Sequence, residues 1–132
     1  MITQSPFRFR LDNGSGVPVY RQLIDQVQAG IATGSLSLGR QLPTVRQVAV
    51  DLAINPNTVL RAYRELEIRG VLDTQQGTGT FIAAQRHQVE NEVNKADRTR
   101  RLDQLIDDFV ARAGTGGFTL AEILEALKER GK

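Results

Sequence analysis

Between Leu42 and Gly70 two short runs of helical periodicity stand almost end to end. In the first, Val45, Val48, Ala49 and Leu52 recur along one helix face. Thr44 and Gln47 ahead of them form the capping-box pattern, in which each side chain accepts from a free backbone N–H. The second run opens on Asn55-Pro56. An Asn side chain is a preferred N-cap acceptor, and Pro at the first helical position gives up only an N–H that has no partner there. From that start Val59, Ala62, Tyr63 and Leu66 fall within roughly 100° of one another, a single stripe for burial. Asn57, Arg61 and Arg64 project to the opposite side, and Gly70 is a natural stop. Such a polar stripe serves no core. Two helices with so short a link predict a helix-turn-helix, whose second helix presents its N-terminal residues to the DNA major groove.

The flanking patterns read as support for that motif. Phe7-Arg8-Phe9-Arg10-Leu11 alternates apolar and basic, which predicts a short half-buried strand, and Asp12 to Gly16 interrupts it. Pro18 opens a helix in which Val19, Leu23, Val27 and Ile31 recur at i+4 beside Tyr20 and Ile24, with Gly34 as its end. It is the first of three core helices and carries no evident chemistry. Leu36 to Leu42 reads as a turn around Gly39. After Gly70 the rhythm changes to two β-type runs, Val71 to Thr74 and Thr80 to Ala83, around Gln75-Gln76-Gly77-Thr78-Gly79, which predicts a hairpin. A hairpin directly after a recognition helix is a wing.

Residues 85–101 are strongly polar, though Val89, Val93 and Ala96 keep a helical rhythm, as in an exposed helix or a linker. Leu102, Leu105, Ile106, Phe109, Val110 and Ala113 then form an amphipathic face that Gly114 to Gly117 break. Thr119 and Glu122 repeat the capping-box pattern, with Phe118 and Ile123 placed as a hydrophobic staple. Leu120, Ile123, Leu124 and Leu127 line a last helix. Two amphipathic helices with a short link bury their apolar faces poorly alone. They could pack on the N-terminal domain or on a second copy, and self-association is the better solution for a DNA reader, because a dimer matches a two-fold site.

Composition changes this picture little. The 132 residues carry a net charge of +2, a weak argument for nucleic acid. Its distribution says more: residues 1–84 hold eight Arg, no Lys and six acids, whereas residues 85–132 hold nine bases and nine acids. Arginine suits bidentate recognition of phosphate or guanine, although a solvated surface would give the same count. The absence of cysteine excludes disulfides, thiolate metal sites and cysteine nucleophiles. No export leader or long apolar run is evident, so a soluble, cytoplasmic protein with no membrane partner is expected.

Other chemistry is hard to assemble. Gly77-Thr78-Gly79 as a phosphate loop lacks both the following helix and the Lys-Ser/Thr pair. His87 has no second ligand candidate nearby, so no metal site is expected. Asp107 and Asp108 are splayed about 100° apart on a helix and cannot pair for acid–base work. No nucleophile constellation is available. Neither an enzyme nor a cofactor is expected.

Residues 18–84 resemble the N-terminal winged-helix domain of the GntR family of bacterial transcription regulators. The likeness rests on Pro18 to Leu23, Gly39 to Arg46, Asn57-Thr58-Val59, Arg64 to Glu67, Gly70 and Gly77 to Phe81, several blocks in order and at proper distances. Fewer than fifty residues follow the wing. That short tail, with Asn55 to Val59 and Ala62-Tyr63, looks like the YtrA branch. The resemblance implies a small helical dimerisation tail and repression of operons that include ABC transporters. It also implies DNA contact by Arg46, by Asn55, Asn57 and Thr58, and by the wing-tip Gly77. Pro56 stands where many relatives carry Arg or Ser. Asp73 to Gln76 stand where many carry wing arginines, so this wing is expected to offer hydrogen bonds from Gln76, Thr78 and backbone amides rather than charge.

The expected fold is therefore mainly α with a small β wing (α+β). A winged helix-turn-helix spans 1–84 (helix-turn-helix about 44–70, wing about 71–83), and a short helical dimerisation region spans 85–132. The expected function is that of a homodimeric repressor of an inverted-repeat operator in double-stranded DNA. Asn57 and Arg61 would meet base edges, with Arg46, Thr58 and Arg64 mainly on phosphate. A winged helix that binds another protein or makes architectural contacts, without sequence-specific DNA reading, is the rival, and exposed Ile68 on the same face favours it mildly. A fused aminotransferase-like enzyme is remote at this length. No effector is identified, and the tail is expected to leave little room for a pocket of roughly 300 Å3.

Overall fold

The computed structural model describes residues 7–83 and 92–131. The elements are α1 (Val19–Thr33), α2 (Val45–Leu52), α3 (Pro56–Ile68), β1 (Leu72–Gln75), β2 (Gly79–Ile82), α4 (Glu92–Thr115) and α5 (Leu120–Arg130). This is a three-helix winged fold with an antiparallel two-stranded wing, followed by two further helices. The chain separates into two compact units, Met1–Arg86 and His87–Lys132. The polar run 85–91, with His87 and Val89, lies outside the described residues.

In the first unit the helical stripes meet as their spacing requires. Leu23, Ile24 and Val27 of α1, Val48 and Ala49 of α2, and Val59, Ala62, Tyr63 and Leu66 of α3 are all buried in one cluster. Each fully buried aliphatic side chain contributes roughly 1.5–3 kcal/mol over exposure. Both halves of the Thr44–Gln47 box form, with the Gln47 N–H donating to Thr44 Oγ1 at 3.1 Å and the Thr44 N–H to Gln47 Oε1 at 3.1 Å. Asn55 caps α3 by accepting from the Asn57 N–H at 2.8 Å.

Helix α3 closes on a Schellman motif. The Val71 N–H reaches back to the Leu66 carbonyl and the Gly70 N–H to that of Glu67, with Gly70 left-handed at φ 77°. The phenol of Tyr63 donates to the Pro43 carbonyl at 2.6 Å, which ties α3 to the segment entering α2. Burial pushes the Tyr63 pKa well above the usual phenol value. The turn between α2 and α3 is bought with one left-handed alanine, Ala53 at φ 55°.

One expectation needs correction in this unit. Phe7 to Leu11 keeps its alternation, with Phe9 buried between exposed Arg8 and Arg10, but it is not a strand. The side-chain amide of Gln26 accepts from the Arg10 N–H and donates to the Arg10 carbonyl, doing the work of a partner strand. One turn earlier on α1, Gln22 holds the Asp12–Val17 loop in the same way. Alternation reports which side chains are buried; it does not supply a backbone partner.

The expected turn around Gly39 forms, with the Arg40 N–H donating to the Ser37 carbonyl at 3.1 Å and Gly39 at φ 83°, and the residues after it reach the wing. Gly39 and Leu42 donate to Ile82 and Thr80, and Ile82 donates back to Arg40, each at 2.8 Å, so residues 39–42 run beside β2, joined to it by an isolated bridge rather than as a strand. Gln41 bridges to Phe81 and its side chain donates to the Thr78 carbonyl at 3.1 Å. Gly79 sits at φ 134°, where an L side chain is strained, and a side chain there would also push the Gln41 amide aside.

In the second unit, α4 runs through Gly114 to Thr115, two residues into the expected break. It ends on its own Schellman motif, with Phe118 donating to Ala113, Gly117 to Gly114, and Gly117 at φ 88°. The Thr119 hydroxyl caps α5 by accepting from the Glu122 N–H at 3.2 Å, but the reciprocal half of the box does not form. Of the apolar residues assigned to self-association only Ile123 is buried. Val110 is half-buried, while Leu102, Leu105, Ile106, Phe109, Leu120, Leu124 and Leu127 are exposed. Phe109, Phe118, Ile123 and Leu127 line an open groove of about 810 Å3. The tail therefore has more concave volume than its length led us to expect, though it is an open trough rather than an enclosed cavity.

Candidate nucleic-acid interface

The exposed side of α3 is set by what its opposite side buries. With Val59, Ala62, Tyr63 and Leu66 in the core, Asn57, Arg61 and Arg64 stand in solvent, as their angular positions require. Ile68, on the same line one turn further, is 80% exposed. Arg46 is exposed at the start of α2. Thr58 is half-buried, and its N–H is taken by the Asn55 carbonyl at 3.0 Å.

Charge pairing separates these arginines from others. Arg21 pairs with Asp25 at 3.6 Å and Arg69 with Glu65 at 3.2 Å, each one helical turn away. Among the described residues Arg46, Arg61 and Arg64 have no carboxylate partner. On α3 the exposed side therefore offers two guanidinium groups, those of Arg61 and Arg64, that no carboxylate engages.

Asn57, Thr58 and Arg61 line one shallow recess of about 400 Å3 together with Val19 and Tyr20. The Arg61 guanidinium lies over the Tyr20 ring, 3.7 Å from its centroid. Tyr20 is a member of this surface that the periodicity of α1 concealed, because i+4 spacing files it with the core. The Tyr20–Arg61 contact lies between positions far apart in sequence, so only the packing of α1 on α3 reveals it.

Arg46, Arg64 and the wing tip lie outside that recess. Asn55 has its side-chain oxygen committed to the cap, which leaves its NH2 group as the free donor. Gln76, Gly77 and Thr78 form the exposed hairpin tip. There the Thr78 N–H is already given to the Gln75 carbonyl at 3.0 Å, so it is not among the amides the wing has to offer.

Fold and surface together define a winged helix-turn-helix protein of the kind that regulates transcription at DNA. The family model for bacterial regulatory proteins of the gntR family matches residues 19–82. The chain is 35% identical to the uncharacterised HTH-type transcriptional regulator YhcF of Bacillus subtilis, over 86% of this chain and 90% of that protein. It is also 35% identical to the HTH-type transcriptional repressor YtrA of Bacillus subtilis, over 91% of this chain and 89% of the relative. Among solved structures, a transcriptional antiterminator from Listeria monocytogenes EGD-e superposes with a TM-score of 0.64 at 30% identity, covering 97% of this chain and 92% of that one. The chain belongs to the GntR family of bacterial transcription regulators, in its YtrA-like branch. Among the described residues no helix is long and apolar enough to cross a membrane.

Proposed function

We propose that the protein is a homodimeric, sequence-specific repressor that binds an inverted-repeat operator in double-stranded DNA. The observation that carries this reading is the exposed side of α3, where Asn57, Arg61 and Arg64 stand in solvent and neither arginine has a carboxylate partner, with exposed Arg46 opening α2. Asn57 and Arg61 read base edges, for which amide and guanidinium geometries suit adenine and guanine. Arg46, Thr58 and Arg64 bind phosphate and fix the register, and free donors of Asn55 help at the helix start. The wing tip of Gln76, Gly77 and Thr78 reaches the neighbouring minor groove through hydrogen bonds, without the charge that would deepen the contact. The uncovered apolar residues of α4 and α5 join two copies, as a two-fold site requires. Repression follows the YtrA relative.

The test offers the purified chain a pool of randomised duplexes and sequences what it retains. An inverted repeat should be enriched, and its affinity should fall steeply with salt in proportion to the phosphates neutralised. Arg61→Ala should cost about 1–3 kcal/mol and relax one position in each half-site. Enrichment of no sequence would instead favour an architectural or protein-binding module.

A further inference from the structure

The Arg61–Tyr20 stack stands at the lip of the recess that holds Asn57 and Thr58. Tyr20 is half-buried and packed against the core, on a helix whose Leu23, Ile24 and Val27 are buried beside Val59, Ala62 and Tyr63. The packing of α1 on α3 thus brings the ring against Arg61. A cation held within about 6 Å of a ring centroid is attracted to its face, and 3.7 Å is close stacking.

We propose that Tyr20 is a positioning residue for base reading. Its ring holds the Arg61 guanidinium flat, with the N–H edge turned outward beside Asn57, and so sets how strongly Arg61 discriminates its base. This rests on Arg61 reading a base edge as proposed above.

The physical case has two parts. An exposed arginine has several free rotors, and immobilising them on DNA opposes binding; a guanidinium already stacked has given up much of that freedom. A stack also covers one face of the planar group and leaves its in-plane N–H donors open. Those donors are the ones that fork onto O6 and N7 of guanine. Neither the Asn57 nor the Thr58 side chain on the same recess takes a hydrogen bond from the guanidinium. The Tyr20 hydroxyl makes no hydrogen bond to a described residue, so the ring and the hydroxyl can be removed separately.

The experiment uses the duplex that the wild-type chain enriches from the randomised pool, and derivatives of it altered at each base pair. Binding is measured for Tyr20→Leu, Tyr20→Phe, Arg61→Ala and the double variant Tyr20→Leu/Arg61→Ala. Tyr20→Leu should weaken binding about 2- to 5-fold, and its lost discrimination should fall at the base pair where Arg61→Ala loses its own. Tyr20→Phe should match wild type. Adding Tyr20→Leu to Arg61→Ala should cost nothing more.

A loss spread evenly over all base pairs overturns the proposal, as does full additivity in the double variant, because Tyr20 then acts through the fold. Tyr20→Phe as weak as Tyr20→Leu also overturns it, since the hydroxyl would then be the contact. If Arg61→Ala leaves base preference intact, base reading by Arg61 itself has failed. That result is distinct from one in which Arg61→Ala acts and Tyr20→Leu does not, where only the positioning role falls. A readout on unbound wild-type protein covers the case in which Tyr20→Leu does not fold. The Arg61 side-chain protons should be shifted upfield by the ring current in NMR spectra, and their absence from the shielded region overturns the stack.

Discussion

The outward face of α3 and the apolar residues of α4 and α5 are both open surfaces, and they are chemical opposites. Beneath α3 lies a closed core, so its outer stripe is free to be polar and carries Asn57, Arg61 and Arg64. In the tail the pattern is turned over. Among its described residues Ile123 is the one buried apolar side chain, at 8% exposure, while Phe109 stands 50% exposed. A unit of that size with so little of its own surface covered is short of the burial a stable fold needs. The contrast teaches that exposure has two meanings. On α3 it marks a polar surface at home in water; on the tail it marks apolar surface that its own unit leaves uncovered.

The contrast breaks most visibly at Phe109. In the proposed dimer, Phe109→Asp would bury an unpaired carboxylate and cost about 3–5 kcal/mol of association. Analytical ultracentrifugation should then find monomer at concentrations where wild type is dimeric, and an unchanged dimer would place the interface elsewhere. Leu66→Ala attacks the other side of the comparison. It should cost about 2–5 kcal/mol through a cavity in a core that no partner can repair, and the loss in thermal denaturation should not depend on protein concentration.

Tyr63→Phe is gentler, at about 1 kcal/mol for the bond to Pro43. Its pH behaviour sharpens the point. The folded phenol is raised above its ordinary value of 10.0, so the native state keeps its proton where the unfolded chain loses it. Stability therefore falls as pH rises above 10.0, and Tyr63→Phe should remove that share of the alkaline loss in denaturant titrations. The smallest expected effect is favourable. Ala53→Gly relieves a left-handed backbone at some cost in unfolded-state entropy, a net gain of about 0.5 kcal/mol measurable by urea denaturation.

Much of the fold was legible because caps and periodicity are local. Thr44 with Gln47, Asn55 with Pro56, and the Val59–Leu66 stripe each state a helix boundary or a buried side within a few residues. What was not legible depends on contacts across the chain. Phe7 to Leu11 alternates like a strand, yet its backbone is satisfied by Gln26, a side chain sixteen positions away. Residues 39–42 join the wing through bonds to Thr80 and Ile82 that no local pattern announces. On the interface, helical angle placed Asn57, Arg61 and Arg64 in solvent, but Tyr20 needed the packing of α1. The depth of the tail groove was missed for the same reason: chain length bounds a closed cavity, not a trough between two helices.

The strand-like stitch between residues 39–42 and the wing has a mechanical consequence. Gln41 and Leu42 hold the hairpin while Thr44 to Arg46 begin α2, so wing and α2 start share one short bracket with no slack between them. Tilting the hairpin must therefore drag the amino end of α2, and with it Arg46. The wing is braced against the start of α2 rather than hinged beside it, so the two move as one edge of the domain.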